Sequence, residues 1–339
     1  MAKSPTDNHI RAMLDPVPPS HLQGVFDSAV AALRDNGAME AFQRLDGRVL
    51  IALDGTEYFC SQKLGCPNCQ TRQRSNGKVE SCPSMLAATL VAPGHDRVLP
   101  LMPEFIAKPD GAEKQDCERN AAKRRLAAHA ERGKPLRPVF LGDDPFACQP
   151  ICQPILDRGQ DFPFAAKPAS HKTLYDFMNG AQIEDRSVTR KEGAKKLTSR
   201  YRWFAGVPLR EGKVPLREGK DALGVNWIGP TIFDAKGKPT HDSAWVASLK
   251  VGRENVAQIA ACARARWKIE NETFNVLKNN GYPLEHNFGH GKQHLAMTFA
   301  ALNLLAFAIH TICDSGEKLW IAASRGQAPP SPIREERQP

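Results

Sequence analysis

Three acidic residues stand where metal-ion chemistry could be built. Asp54 closes the apolar run Arg48-Val-Leu-Ile-Ala-Leu-Asp54, and Asp143 closes a second one, Pro138-Val-Phe-Leu-Gly-Asp143. Glu270 lies in Arg266-Trp-Lys-Ile-Glu-Asn-Glu272, inside a long helical pattern. Taken singly, a strand-terminal Asp is equally a turn or cap residue, and a helical Glu equally a solvated surface residue. Together they suit another purpose. Neighbouring strands lie about 5 Å apart, so carboxylates at their ends converge without a special loop, and a helix packed across those ends adds a third. Such a set can hold two Mg²⁺ (or Mn²⁺) ions roughly 3.5–4 Å apart, with waters and phosphate oxygens completing the octahedra. One ion then activates a water or a DNA 3′-hydroxyl while the other stabilises the leaving oxygen of an in-line phosphoryl displacement. Asp144 and Glu272 compete with Asp143 and Glu270 for these roles.

Cations accompany the acids. Arg266 falls one helical turn before Glu270, and Lys268 and Lys278 lie on the same expected helix. Groups so placed would orient DNA phosphates and offset charge in the transition state. The chain of 339 residues carries a formal net charge of +9, which favours a polyanionic partner.

The chain has nine cysteines. Its start, Met-Ala-Lys-Ser-Pro-Thr-Asp, has no apolar core and no cleavage pattern, so reduced thiols in a cytoplasmic setting are expected, not a disulfide framework. Cys66-Pro-Asn-Cys69 is half of a tetrahedral thiolate site for structural Zn²⁺. Cys60 and Cys82 flank it, at spacings that match no standard zinc ribbon, and ordinary reduced thiols are the competing reading. Arg72 and Arg74, just beyond, could contact phosphates. His286, His290 and His294 are spaced for metal binding, but Gly289 and Gly291 break any helix that would present them, so a packed turn or a DNA-backbone contact is expected.

These residues must be positioned by a chain that alternates short strands and helices, then turns β-rich, then helical. Strands are expected at residues 48–54, 86–92, 98–101 and 138–143, and helices at 23–34, 112–132 and, against Pro150 and Pro154, 147–157. Residues 201–207, 223–234 and 243–249 read as further strands, with Trp203, Trp227 and Trp245 packed in them. Val207–Lys213 is repeated at once as Val214–Lys220, a duplication suited to an exposed loop. One helix is expected over Asn255–Asn279, ended by Asn280-Gly281 and Pro283, and a second over His294–Thr311. The second is apolar enough to raise a membrane span, but Asn303 and His310 within it favour a buried core helix. The Pro- and charge-rich end suggests a disordered tail.

The run Arg266-Trp-Lys-Ile-Glu270, with Phe274 and Leu277-Lys278 downstream, resembles the C-terminal signature of insertion-sequence transposases of the DDE class. Asp54-Gly55-Thr56 resembles that family's first-aspartate motif, and Asp143 with Phe146 its second. The resemblance covers roughly residues 45–315. It departs from the family at Ala263, where a Tyr is frequent, and at Lys278, which lies eight residues after Glu270 where the family has seven. It implies an α/β chain with a ribonuclease-H-like core, a mixed sheet flanked by helices, and a β-rich insertion before the last catalytic helix. The corresponding division is a helical lead-in at 1–45, short for an end-binding region and suggestive of a truncated copy. The first part of the core follows at 46–160 with a Cys-rich insert at 60–82. The insertion covers 161–250, the C-terminal core helices 251–315 and the tail 316–339. The implied activity is two-metal cleavage at element ends and strand transfer to target DNA, by a homodimer in the bacterial cytosol or nucleoid. A silent DNA-binding regulator, a two-metal nuclease that never joins ends, and a zinc-dependent nucleic-acid adaptor are the alternatives.

Overall fold

The computed structural model describes residues 5–63, 65–66, 68–107, 116–132, 136–192, 195–209, 222–287 and 289–316. The chain is mixed α/β and forms two compact units that do not follow chain order. The first holds residues 1–42, 54–124 and 267–339; the second holds 43–53 and 125–266.

In chain order the first elements are α1 (Asp7–Leu14), α2 (Gln23–Asp35), β1 (Gln43–Arg44), β2 (Arg48–Glu57), β3 (Gln70–Gln73), β4 (Val79–Cys82), β5 (Ser84–Val91), β6 (Leu99–Pro100) and β7 (Glu104–Ile106). They continue with α3 (Glu118–Arg132), β8 (Val139–Leu141), α4 (Gln149–Leu156), β9 (Pro163–Ala165) and α5 (Lys172–Met178). Then follow β10 (Glu184–Glu192), β11 (Lys195–Leu209), β12 (Leu223–Phe233), β13 (Pro239–Asp242) and β14 (Trp245–Ala247). The last helices are α6 (Val256–Arg264), α7 (Asn275–Asn279) and α8 (Leu295–Gly316).

The first unit is built on α8. This helix is long and apolar enough to cross a membrane by length and composition. Its Ala301, Leu304 and Leu305 are nevertheless buried in one cluster with Phe26 of α2, Met85 of β5, Leu277 of α7 and the pair Tyr58-Phe59, as a core helix requires. Residues 7–42 therefore contribute to this core. In the same unit β5 pairs antiparallel with β6 and β7, and it neighbours β2.

Asp15, just past α1, caps α8 from the far end of the sequence. Its carboxylate accepts the backbone N–H groups of Lys292, Gln293, His294 and Leu295 at 2.8–3.2 Å. Those are donors a helix start cannot satisfy internally. Burial works against the Asp15 carboxylate, but the four donors outweigh it and hold its pKa below the ordinary 3.8. A depressed folded pKa stabilises above the unfolded value and loses that effect as the pH falls through the folded one. Asp15→Asn should therefore lower stability by roughly 1–2 kcal/mol at neutral pH. In urea titrations the gap between variant and wild type should close as the pH is taken below 3.8; a gap independent of pH would mean the capping carboxylate is not the cause.

The second unit holds two sheets' worth of ladders. β1 pairs antiparallel and β8 parallel with β2. A five-strand antiparallel path runs β10-β11-β12-β14-β9, with β13 on β12. The expected β-rich segment is thus β-rich, and Trp203, Trp227 and Trp245 are buried in it as strand packing. α5 and β10 were not expected: β10 reads Glu-Asp-Arg-Ser-Val-Thr-Arg-Lys-Glu, with little apolar alternation to announce a strand. Most of the tandem heptad, the start of the expected 112–132 helix and the expected disordered tail beyond 316 lie outside the described residues.

Candidate functional site

Within the second unit, the β2–β8 ladder pairs Leu50 with Val139, Ile51 with Phe140 and Ala52 with Leu141. In sequence, Asp54 comes two residues after Ala52, still in β2 but in the first unit, and Asp143 two residues after Leu141, past the end of β8 in the second. Alternation gives residues two apart the same face, so Asp54 continues the face of Leu50 and Ala52, and Asp143 that of Val139 and Leu141. Both Asp residues are half-buried. Asp143 keeps an extended backbone (φ −82°, ψ 177°) as the chain turns into Asp144-Pro-Phe146. Gly142 is required before it, because a Cβ there would lie 2.8 Å from the Phe146 ring and 2.9 Å from that of Phe164.

The structure separates Asp143 from Asp144. Asp144 Oδ1 accepts the backbone N–H of Lys167 at 2.6 Å and the Ser170 hydroxyl at 2.8 Å, with His171 Nε2 3.4 Å away. Its carboxylate fastens a loop. The Asp143 carboxylate has no hydrogen bond or ion pair among the described residues, and is the one left to bind something else.

Glu270 belongs to the first unit, but not to the single α-helix expected over Asn255–Asn279. After α6 the chain passes through a 3₁₀ turn, Ala265–Trp267, and a π turn, Ile269–Phe274, before α7. Periodicity alone cannot distinguish these from α geometry over one turn each. π turns occur mostly as single insertions in α-helices, frequently at functional sites. Ile269 and Thr273 bury one side of this turn, and the Thr273 hydroxyl reaches that of Thr89 on β5 at 3.5 Å. Glu270 and Glu272 are both half-buried, and Glu272 is ion-paired with Lys268.

One acidic neighbour escaped the sequence reading. A Cβ on Gly55 would fall 1.9 Å from Oε1 of Glu118, at the start of α3, so the glycine beside Asp54 leaves room for the Glu118 side chain. No local pattern links the two residues. In the same unit Gly55, Thr56, Glu57, Gln70, Arg72, Glu118, Lys278 and Glu285 are among the residues lining an open groove of about 710 Å³.

The cations expected at nucleic acid are held by carboxylates. Arg72 pairs with Glu57 at 2.9 Å and with Glu80 at 3.5 Å, Arg74 with Glu80 at 2.6 Å, and Lys278 with Glu285 at 2.9 Å. Arg74, Gln62 and Arg72 together lower the Glu80 pKa. Arg266 is half-buried.

The cysteines divide in two. Cys60 and Cys82 form a disulfide with Cα atoms 4.4 Å apart. This corrects the expectation that all thiols are reduced and that these two complete a zinc site; residues 22 apart in sequence are brought together by β4 running back beside Ser61. Cys66 and Cys69 remain thiols, with sulfurs 3.0 Å apart, and His290 Nδ1 stands 3.2 Å from the Cys69 sulfur. The hydrogen bond from Cys69, opposed by burial and aided by His290, lowers the Cys66 pKa to about 5, while the same bond and burial push Cys69 up. His290 is buried, where an exposed phosphate contact was one expectation; His286 is exposed.

Comparison with protein-family models and with curated proteins finds no match. Function must be argued from the site.

Proposed function

We propose that this chain is a DDE-class insertion-sequence transposase, cutting DNA at element ends and joining them to target DNA, with Asp54, Asp143 and Glu270 as its metal-binding acids. The observation that supports this reading is the parallel β2–β8 register, Leu50 with Val139 through Ala52 with Leu141, which ends two residues before Asp54 in the one segment and two before Asp143 in the other. The mixed sheet, parallel at β2–β8 and antiparallel at β5–β6 and β5–β7, is consistent with a ribonuclease-H-like core.

Carboxylate oxygens, that of Asp143 without a partner among the described residues, are donors that fit Mg²⁺, which takes oxygen ligands and keeps several waters. Two such ions, when bound, supply the activated nucleophile and the charge stabilisation of the leaving oxygen. The chain's own part is to hold its acids rigidly. Lys268 occupies Glu272, the competing carboxylate on the same turn. The π turn also bears on Lys278. A π turn takes up one more residue than an α turn, so an eight-residue spacing here gives the helical phase that seven residues give in an uninterrupted α-helix. Lys278 and Arg72 then offer positive charge along the groove, released to phosphate from Glu285 and Glu57. Such a protein works where the DNA is, in the cytoplasm, as a homodimer in the DNA complex.

The test is Mg²⁺-dependent cleavage and strand transfer on duplexes carrying the inverted repeats that flank the coding sequence. Cleavage without joining would point to a plain two-metal nuclease, and DNA binding without cleavage to a silent regulator. A neighbouring pair sharpens the assignment. Asp143→Asn should abolish cleavage, whereas Asp144→Asn should retain it within about tenfold and lose no more than about 1 kcal/mol of stability, because the donors it serves, Lys167 and Ser170, are exposed. The reverse order would transfer the ligand role to Asp144.

A further inference from the structure

We propose that Cys66, Cys69 and His290 form a Zn²⁺ site that clips the Cys60–Cys82 insert to the loop between α7 and α8. The three ligand atoms all lie within 4.8 Å of one another. Thiolate and imidazole donors together suit zinc, with Zn–S near 2.3 Å and Zn–N near 2.0 Å in a tetrahedron. Those bond lengths require S···S and S···N separations of roughly 3.5–3.8 Å. The observed separations, 3.0 Å for the two sulfurs and 3.2 Å for Cys69 to His290, need to open by about 0.8 Å and about 0.3 Å.

The site is built, not incidental. His290 comes from 221 residues beyond Cys69. Its ring is 7% exposed and packs edge-on against Phe59, with centroids 4.7 Å apart. Its polar neighbours among the described residues are the two sulfurs, and sulfur is a weak hydrogen-bonding partner. A buried imidazole so poorly compensated is costly unless a metal takes its lone pair. The Asn68 side chain, within the Cys-x-x-Cys turn, also donates to the Gln293 carbonyl, so the turn and the loop already meet. Gly289 and Gly291, with φ of +94° and +67°, give the loop the bend that turns His290 inward. No fourth His, Cys, Asp or Glu joins the cluster among the described residues.

Cys60 and Cys82 take no part, because they are bonded to each other. The clip ties the segment carrying Arg72 to the loop carrying Glu285 and Asn287, three lining residues of the same groove. The zinc site does not depend on the transposase reading, since its residues and its readout are separate from Asp54, Asp143 and Glu270.

The experiment uses the full chain, purified in reducing buffer from zinc-supplemented cells and analysed for metal by atomic emission. About one zinc per chain is expected, falling at least tenfold in Cys66→Ser, Cys69→Ser and His290→Ala. The Cys60→Ser/Cys82→Ser double variant and His286→Ala should keep it. Wild-type protein exchanged with Co²⁺ should show sulfur-to-cobalt charge-transfer bands and intense tetrahedral d–d bands, a result that does not require any variant to fold. Wild type free of zinc and without such bands, or zinc retained in all three ligand variants, overturns the site. So does peptide mapping that finds Cys66 and Cys69 joined as a disulfide in the metal-free protein.

Discussion

Asp54→Asn, Asp143→Asn and Glu270→Gln should each reduce Mg²⁺-dependent strand cleavage by roughly a thousandfold or more, on the order of 4 kcal/mol of lost transition-state stabilisation. The amides are nearly isosteric and remove a charge without opening a cavity, so far-UV circular dichroism and thermal midpoints should stay close to wild type. DNA affinity should survive, because sequence-independent binding rests on cations. Relieving carboxylate repulsion could even tighten it. The three should also be non-additive, since removing one ligand already disables a site that acts as a unit. Cleavage persisting within tenfold of wild type in either Asp54→Asn or Glu270→Gln would remove the two-metal assignment; Lys278→Ala, by contrast, should weaken binding and flatten its salt dependence while leaving slow cleavage.

Phe164→Ala should be the most damaging change away from the acids. Phe164 is fully buried, stacks on Phe162 with ring centroids 4.9 Å apart and touches Phe146 at 6.1 Å. It also pairs with Val246 in the β9–β14 ladder and with Gly142, the residue before Asp143. Truncating a buried Phe costs about 3–5 kcal/mol. Urea unfolding followed by tryptophan fluorescence reports on it directly, because Trp203, Trp227 and Trp245 all lie in the same unit. A loss under about 1 kcal/mol would show that the aromatic layer is not what fixes the turn. Phe164→Leu should lose less, as most of the volume is kept.

These two expectations differ in how visible their basis was in the sequence. Asp54 and Asp143 stand out in the sequence because each ends a short apolar run, whereas the β2–β8 register is visible only in the fold. The β-rich segment was legible from β-branched and aromatic residues at strand spacing. The helical run before Asn279 was legible as helix but not as a π turn, because a single turn contains too few apolar positions to reveal a change of period. Glu118 beside Gly55, His290 beside Cys69 and Asp15 beneath α8 are partners separated by tens to hundreds of residues. Their pairing is decided by tertiary closure, and no local propensity encodes it. The Cys60–Cys82 bond was missed for a related reason: spacing favoured the Cys-x-x-Cys pair and gave no sign that β4 returns alongside Ser61.

The discontinuous first unit has a bearing on how the polypeptide is made. α2 emerges from the ribosome early, yet Phe26 finds its cluster partners Leu304 and Leu305 only when α8 follows. At roughly 5–20 residues per second, a separation of about 260 residues (295 − 35) is a wait of about 13–50 s. Through that interval the nascent chain carries an unfinished apolar face, a substrate for holding chaperones. Shortened translation products that stop ahead of residue 295 never acquire it, so any such fragment should be cleared by proteolysis instead of accumulating as a competitor of the intact protein.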